Sequence, residues 1–197
     1  MPNIKLKSKL LKVAKTNLKL VGFFINCRRQ HPIIVEILMQ SEAIKRMTAR
    51  YDLREDRIAI DCEIHNGSIE TLHLPQRLGR AIAATLTQRL SRDALFGEFA
   101  QHEAVSTKVP SGAVCGDAAV PPWLVTHLHL QDFGGGVRVI FAHEEQRAVH
   151  IECDDKLLRN IVDILFKAFG LAEWPRDVFP TWVDPASLVS NAGSWTN

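Results

Sequence analysis

The chain has 197 residues, of which 46% are hydrophobic and 23% are charged, and its formal net charge is +2. This composition is typical of a soluble globular protein, and the length allows one large domain or two small ones. No apolar stretch approaches the roughly 20 residues that span a bilayer, and the lysine-rich start does not resemble a signal peptide. The sequence therefore predicts a protein without a membrane span.

The charge is unevenly distributed along the chain. Residues 1–30 hold eight basic side chains and no acidic one, whereas the remainder holds 16 basic and 22 acidic side chains. A basic end on an acidic body can attract an anionic partner or dock on the body itself. Contacts to phosphates are one use of such a cluster, and lysines that protect an edge strand from aggregation are the simpler one. The candidate nucleic-acid-binding residues are Lys5, Lys7, Lys9, Arg28 and Arg29.

The four cysteines are widely spaced and form no CxxC motif. Cys62 and Cys153 alternate with apolar residues on predicted strands, which indicates small core side chains. This pattern favours free thiols in a reducing, cytoplasmic setting.

A strand is predicted over residues 33–39, where nearly every residue is β-branched or apolar. Ser41 then fits the N-cap of a helix, because Ala43, Ile44 and Met47 follow at helical spacing. Together these elements suggest an additional copy of a unit that is clearer further along the chain.

That unit consists of two strands followed by a helix, and it occurs over residues 57–90 and again over 137–169. The two stretches align at an offset of 79 residues, which sets Ile58 against Val137 and Leu78 against Leu157. A repeated unit that cannot bury its apolar faces alone must pair with its copy. The sequence therefore predicts an α+β fold of two similar strand-strand-helix units, with antiparallel sheets that are each covered on one face by a helix.

The hairpin of the first unit has an informative register. An Asn-Gly pair marks the turn, and a three-residue loop at 66–68 places apolar residues opposite each other, with Ile60 facing Leu74. In this arrangement Asp61 and Glu63 point away from the core, and we expect them to be solvated surface charges.

Between the two units, residues 106–122 are rich in Gly, Pro, Ala and Val and predict a linker or a long exposed loop. This divides the chain into an N-terminal half (1–105), a C-terminal half (123–170) and an irregular tail (171–197). The tail contains three tryptophans, so we expect its first part to pack on the body.

The second unit begins with an extra strand at 123–130, and Gly134-Gly135-Gly136 then predicts a hairpin turn. A phosphate cradle would need a helix directly behind these glycines, and a strand follows instead. Asp154 or Asp155 caps the closing helix.

Four polar residues form a candidate metal site. His127 and His129 occupy alternate positions on one strand and so share a face, and His150 and Glu152 point outward from a nearby strand. Two imidazoles joined by a carboxylate can bind zinc. A solvated polar sheet face is the simpler interpretation of the same pattern.

These observations favour a non-catalytic binding or adaptor protein of the kind found in the bacterial cytoplasm, acting on a protein partner or as a homodimer and without a cofactor. The chain shows no concentrated cluster of catalytic residue types. One alternative is a nucleic-acid-binding protein that uses residues 1–30. The other is a metal-dependent enzyme centred on His127 and His129.

Overall fold

The computed structural model describes residues 41–91, 97–107, 112–144 and 147–184. They form an α+β architecture of one seven-stranded mixed sheet and three α-helices. The strands are β1 (Glu42–Asp52), β2 (Arg57–Ile64), β3 (Ile69–Leu74), β4 (Trp123–Leu124), β5 (His127–Phe133), β6 (Gly136–His143) and β7 (Arg147–Cys153). The helices are α1 (Gln76–Leu90), α2 (Gly97–Ser106) and α3 (Asp155–Leu171), with a 3-10 turn at Thr181–Val183.

None of these described helices is long and apolar enough to cross a membrane. The candidate nucleic-acid-binding residues lie outside the described part of the chain, as does the strand predicted at 33–39. They are Lys5, Lys7, Lys9, Arg28 and Arg29.

The strand order is β4-β3-β2-β1-β7-β6-β5. β1–β3 and β5–β7 are antiparallel, but β1 pairs with β7 in parallel, and so does β3 with β4. The prediction of purely antiparallel sheets was therefore wrong, because the inner edges of the two antiparallel sets join through β1 and β7. Pairing removes two edges that would otherwise expose unpaired backbone groups. The similarity of the two units and the domain division at 106–122 stay predictions.

The two ends of the sheet meet in one extended segment. Only two residues separate β4 from β5, although these strands stand at opposite ends of the strand order. The Val125 N–H donates to the His73 carbonyl of β3, and the Thr126 N–H donates to the Ala142 carbonyl of β6, each at 2.9 Å. The sheet therefore curves round until its ends are joined.

The core lies on the side of the sheet that carries α1 and α3. Asp154 caps α3 as predicted, since its Oδ1 accepts the Leu157 N–H at 2.7 Å. Trp174 is buried and Trp182 packs against the same core, which confirms that the start of the tail packs on the body. Representative core residues from the sheet and helices are Ile58, Leu72, Val139, Ile151, Leu86, Leu158 and Phe169.

The predicted helix at Ser41 was wrong, because Glu42–Asp52 is the strand β1. The strand pairs Ile44 with Ile64, and a β-bulge between Ile44 and Arg46 inserts an extra residue. The core-facing residues are therefore three positions apart at this point, at Ile44 and Met47, which imitates helical spacing. The additional copy of the strand-strand-helix unit, which required a helix at this position, is therefore not formed.

The first hairpin keeps the predicted faces but not the predicted register. Ile60 pairs with Leu72 rather than with Leu74. The turn is centred on Asn66, whose Oδ1 accepts the Ser68 N–H at 2.8 Å. This side-chain contact fixes the turn one residue earlier than the hydrophobic pattern alone indicates.

Candidate binding surfaces

Two halves make up the outer face, which we define as the sheet face opposite α1 and α3. The strapped half is the outer face of β1–β3, and the histidine half is the outer face of β5–β7. Both carry polar side chains at alternate strand positions, as the sequence pattern predicts.

A segment that we call the strap, residues 112–120, runs across the strapped half. The Val114 N–H donates to Thr48 Oγ1 at 2.9 Å, and the Gly112 carbonyl accepts a longer bond from Arg46. Val114 is buried although most of the strap is exposed. The segment predicted as a linker or exposed loop is thus held on the sheet where the structure describes it.

Glycine at position 116 lets the strap approach the sheet closely. A Cβ atom there would lie 2.5 Å from Thr71 Oγ1 and 2.8 Å from Asp61 Oδ1. Real Cβ atoms essentially never make such short contacts. Gly116 therefore seats the strap directly on these two polar side chains.

Asp61 is buried, with 3% of its surface exposed. Its Oδ1 accepts the Thr71 hydroxyl at 2.7 Å, and its Oδ2 accepts Arg50 Nε at 3.3 Å. The prediction of a solvated Asp61 was wrong, because the cover comes from Gly116 on a distant part of the chain. Glu63 is mostly buried, and hydrogen bonds from Lys45 and Arg46 lower its pKa.

His73 and Asp52 lie beside this cluster, with His73 Nε2 4.0 Å from Asp52 Oδ2. Partial burial raises the pKa of Asp52, but the backbone N–H groups of Arg54 and Glu55 and the charges of His73 and Arg50 outweigh it. The net pKa of Asp52 is therefore lowered. A carboxylate held ionised in this way accepts hydrogen bonds and does not serve as a general acid.

In the histidine half, the structure places His127 and His129 on the same face as predicted. Their rings are stacked at an interplanar angle of 10°, with centroids 6.4 Å apart. His129 pairs with Ile140, which in turn pairs with His150, so these three residues form a row across β5, β6 and β7. Two imidazoles thus flank an apolar side chain.

The imidazoles have local partners. His150 Nδ1 lies 2.8 Å from Ser41 Oγ, and His127 Nδ1 lies 3.0 Å from Thr126 Oγ1. Burial, and secondarily the charge of His127, lowers the pKa of His129. Burial also lowers the pKa of His150. Both shifts favour neutral rings.

The geometry gives no support to a metal site at His127, His129, His150 and Glu152. Among the described residues, no group of three or more His, Cys, Asp and Glu side chains is arranged to hold a metal ion. The in-plane lone pairs of two parallel rings do not converge on one point, whereas zinc ligands must. Glu152 pairs instead with Arg138, whose hydrogen bond lowers the pKa of this carboxyl.

The glycine turn joins β5 to β6 as a hairpin, as predicted, with positive φ at Gly134 and Gly135. An open depression of about 370 Å³ adjoins it, and its acidic lining does not suit an anion. Burial raises the pKa of the lining Cys153 to about 12, so this thiol is not activated. Phosphate binding at the turn has no support. The lining also includes Phe133, Glu152, Asp154 and Leu157.

A third surface was not predicted from the sequence. Leu53 in the β1–β2 turn is 82% exposed, and Leu171 at the end of α3 is 71% exposed. Asp56 Oδ1 accepts the Tyr51 hydroxyl at 2.8 Å and Trp174 Nε1 at 3.2 Å, which ties the turn to the end of the helix. Each leucine is three residues from one member of the Asp56–Trp174 pair. We call these five residues the leucine end.

The one sequence signal for this surface is Leu171, an apolar residue just past the unit predicted over 137–169. Comparison of the chain with protein-family models, curated proteins and solved structures found no match. We therefore infer a function from the geometry of these surfaces.

Proposed function

We propose that this protein is a non-catalytic binding protein that contacts a partner protein through the leucine end. The observation that carries the proposal is the exposure of Leu53 and Leu171 on two segments that the contact between Asp56 and Trp174 joins. Exposed large apolar residues that are grouped together mark interaction sites, whereas scattered ones need no explanation.

Three contacts hold the framework of the leucine end together. Tyr51 and Trp174 pack edge to face with ring centroids 6.2 Å apart, and both bond to Asp56. The hydrogen bond to Asp56 raises the pKa of Tyr51, so the hydroxyl stays a donor. A surface that is ordered before binding loses less conformational entropy when the partner arrives. This favours a binding role for the two leucines.

Backbone strain also occurs at both turns. Asp56 has φ of 49° and Glu173 has φ of 55°, values that cost a non-glycine residue on the order of 1 kcal/mol. Strained turns concentrate at functional sites. Asp56 and Glu173 lie two or three residues after Leu53 and Leu171 in the chain.

Several titratable groups are held in their unreactive forms, which supports a binding role over catalysis. Arginine contacts lower the pKa of the carboxyls of Glu152 and Asp177, and burial raises the pKa of the Cys62 thiol to about 12. A carboxylic general acid needs a raised pKa, and a nucleophilic thiol needs a lowered one.

The test compares three baits in an extract of the source cells: the native protein, the double variant Leu53→Lys/Leu171→Lys, and Phe99→Lys. Phe99 is a matched control because it is equally exposed but lies on α2. We expect a protein that the native bait and the control capture and that the double variant captures at least about tenfold less, the loss expected for about 1.4 kcal/mol. Capture that the double variant leaves unchanged would contradict the proposal.

The double variant must keep the native melting temperature, since both leucines are exposed and their replacement should not unfold the chain. Sedimentation of the native protein alone distinguishes a second copy from a different partner. A dimer that the double variant abolishes would identify the second copy as the partner.

A second candidate function is nucleic-acid binding through residues 1–30, favoured by eight basic side chains without an acidic one. Such binding must weaken steeply with salt, because neutralised phosphates release counterions. A gel-shift titration of the native protein and of Lys5→Gln/Lys7→Gln/Lys9→Gln tests it. A salt slope that is absent, or unchanged in the triple variant, would exclude the candidate.

A further inference from the structure

Ile140 lies on the outer face of the sheet, yet 0% of its surface is exposed. It pairs with His129 on one side and His150 on the other, and it does not belong to the core cluster that contacts the helices. Ala142, two residues further on the same face, is also buried. An apolar side chain on a sheet surface is fully buried only when another layer of chain covers it.

The first forty residues join the described structure beside this row. Ser41 Oγ lies 2.8 Å from His150 Nδ1, and the first two residues of β1, Glu42 and Ala43, pair in parallel with β7. Ala43 pairs with His150, and His150 pairs with Ile140. Ala43 and Ile140 are therefore two strand spacings apart, about 10 Å, a distance that about three extended residues span.

The composition of the preceding chain suits this position. The stretches 18–26 and 33–39 are mainly apolar, and the polar residues of 27–31 separate them. The eight basic residues of 1–30 complement the net charge of −6 on the remainder of the chain. Apolar residues flanked by positive charges match an apolar centre with a polar rim on an acidic body.

We infer that the histidine half is the docking surface for the chain's own residues 18–39, which place apolar side chains over Ile140 and Ala142. His127, His129 and His150 form the rim of this contact. The inference concerns a different surface from the leucine end, so it stands or falls independently of the proposed function.

The test uses the full chain with a nitroxide on the native Cys27, in the variant Cys115→Ser. Cys115 is the exposed thiol of the described residues, whereas Cys62 and Cys153 are buried. We expect the label to broaden the NMR signals of His129, Ile140 and His150 strongly, and to leave those of Phe99 and His102 on α2 unchanged. No broadening in β5–β7, or equal broadening on α2, would overturn the inference.

The matched control carries the nitroxide on Cys115 in the variant Cys27→Ser. Because Cys115 adjoins Gly116 on the strap, this label must broaden Asp61 and Thr71 more than His129. A third variant, Phe23→Asp/Phe24→Asp with the label on Cys27, removes apolar side chains from the docking segment. It must reduce the broadening of Ile140, and unchanged broadening would count against apolar docking.

Discussion

The strapped half and the histidine half belong to one continuous sheet face, yet only the strapped half buries charged and polar side chains within it. In the strapped half the buried side chains include three polar ones, Asp61, Thr71 and His73, beside the small Ala59. In the histidine half the buried groups are Ile140 and Ala142, and the imidazoles around them are partly exposed. The same polar alternation along a strand thus leads to two environments.

The difference shows that the environment of an outer-face side chain depends on the segment that covers it. Over Asp61 the cover is a strap with a glycine in contact, and the buried carboxylate satisfies its oxygens with Thr71 and Arg50. Buried polar groups are tolerated only when they are hydrogen-bonded in this way. We therefore expect substitutions to have larger effects in the strapped half.

The strongest contrast is expected for Asp61→Ala. It leaves the buried Thr71 hydroxyl without its acceptor and Arg50 with only its longer contact to Asp52. We expect the free energy of unfolding to fall by about 3 kcal/mol, the upper end of the cost of leaving a buried polar group unsatisfied. Glu152→Ala in the histidine half removes a more exposed partner of Arg138 and should cost less than about 1 kcal/mol. Urea unfolding of both variants checks this, and equal losses would contradict the contrast.

The next effect is expected for Gly116→Ala. The new methyl group meets Asp61 and Thr71 at distances that force the strap to move, and we expect a loss of about 2 kcal/mol, which is typical of overpacking. Gly112→Ala is the matched control, because no atom lies within 4 Å of the added Cβ. Thermal unfolding of the two variants measures this difference in stability. Indistinguishable melting temperatures would show that the strap does not press on the sheet.

A pair of histidine substitutions compares the two halves with the same chemistry. His73 is buried beside Asp52, so we expect His73→Gln to lower the free energy of unfolding by about 1 kcal/mol. His127 is partly exposed, and His127→Gln should change it by less than about 0.5 kcal/mol. A larger loss of stability for His127→Gln than for His73→Gln in urea unfolding would mean that the histidine half is packed more tightly than the strapped half.

The smallest effect concerns pH. The pKa values of His129 and His150 are lowered in the folded state. Below the ordinary histidine pKa, about 6.5, the unfolded chain therefore binds more protons than the folded protein does. Their contribution to stability is present above that pH and is lost as the pH falls from 6.5 through the folded pKa values. His129→Gln/His150→Gln should flatten this part of the stability profile. An unchanged slope in the double variant would assign the effect to other groups.

The local sequence pattern was sufficient to predict several elements of the fold. Strict alternation placed Ile58–Ile64 on β2 and put His127 and His129 on one face, and the cap at Asp154 marked the start of α3. These features depend on neighbours within a few residues, so the chain itself carries the information.

Features that depend on distant residues could not be predicted in the same way. The bulge in β1 changed the spacing of its core residues, and the burial of Asp61 depends on Gly116, which follows 55 residues later. The leucine end requires the contact between Asp56 and Trp174, which are 118 residues apart. Contacts between residues this far apart in the chain depend on the tertiary structure rather than on the local sequence pattern.

Hydrogen exchange at the Val114 amide tests whether the strap is held on the sheet. This N–H donates to Thr48 Oγ1 at 2.9 Å. We expect exchange at least about 100-fold slower than in an unstructured peptide, as for an amide released only by local opening. Exchange of Val114 at the unstructured rate, while the amides of β2 remain protected, would show that the strap is not held on the sheet.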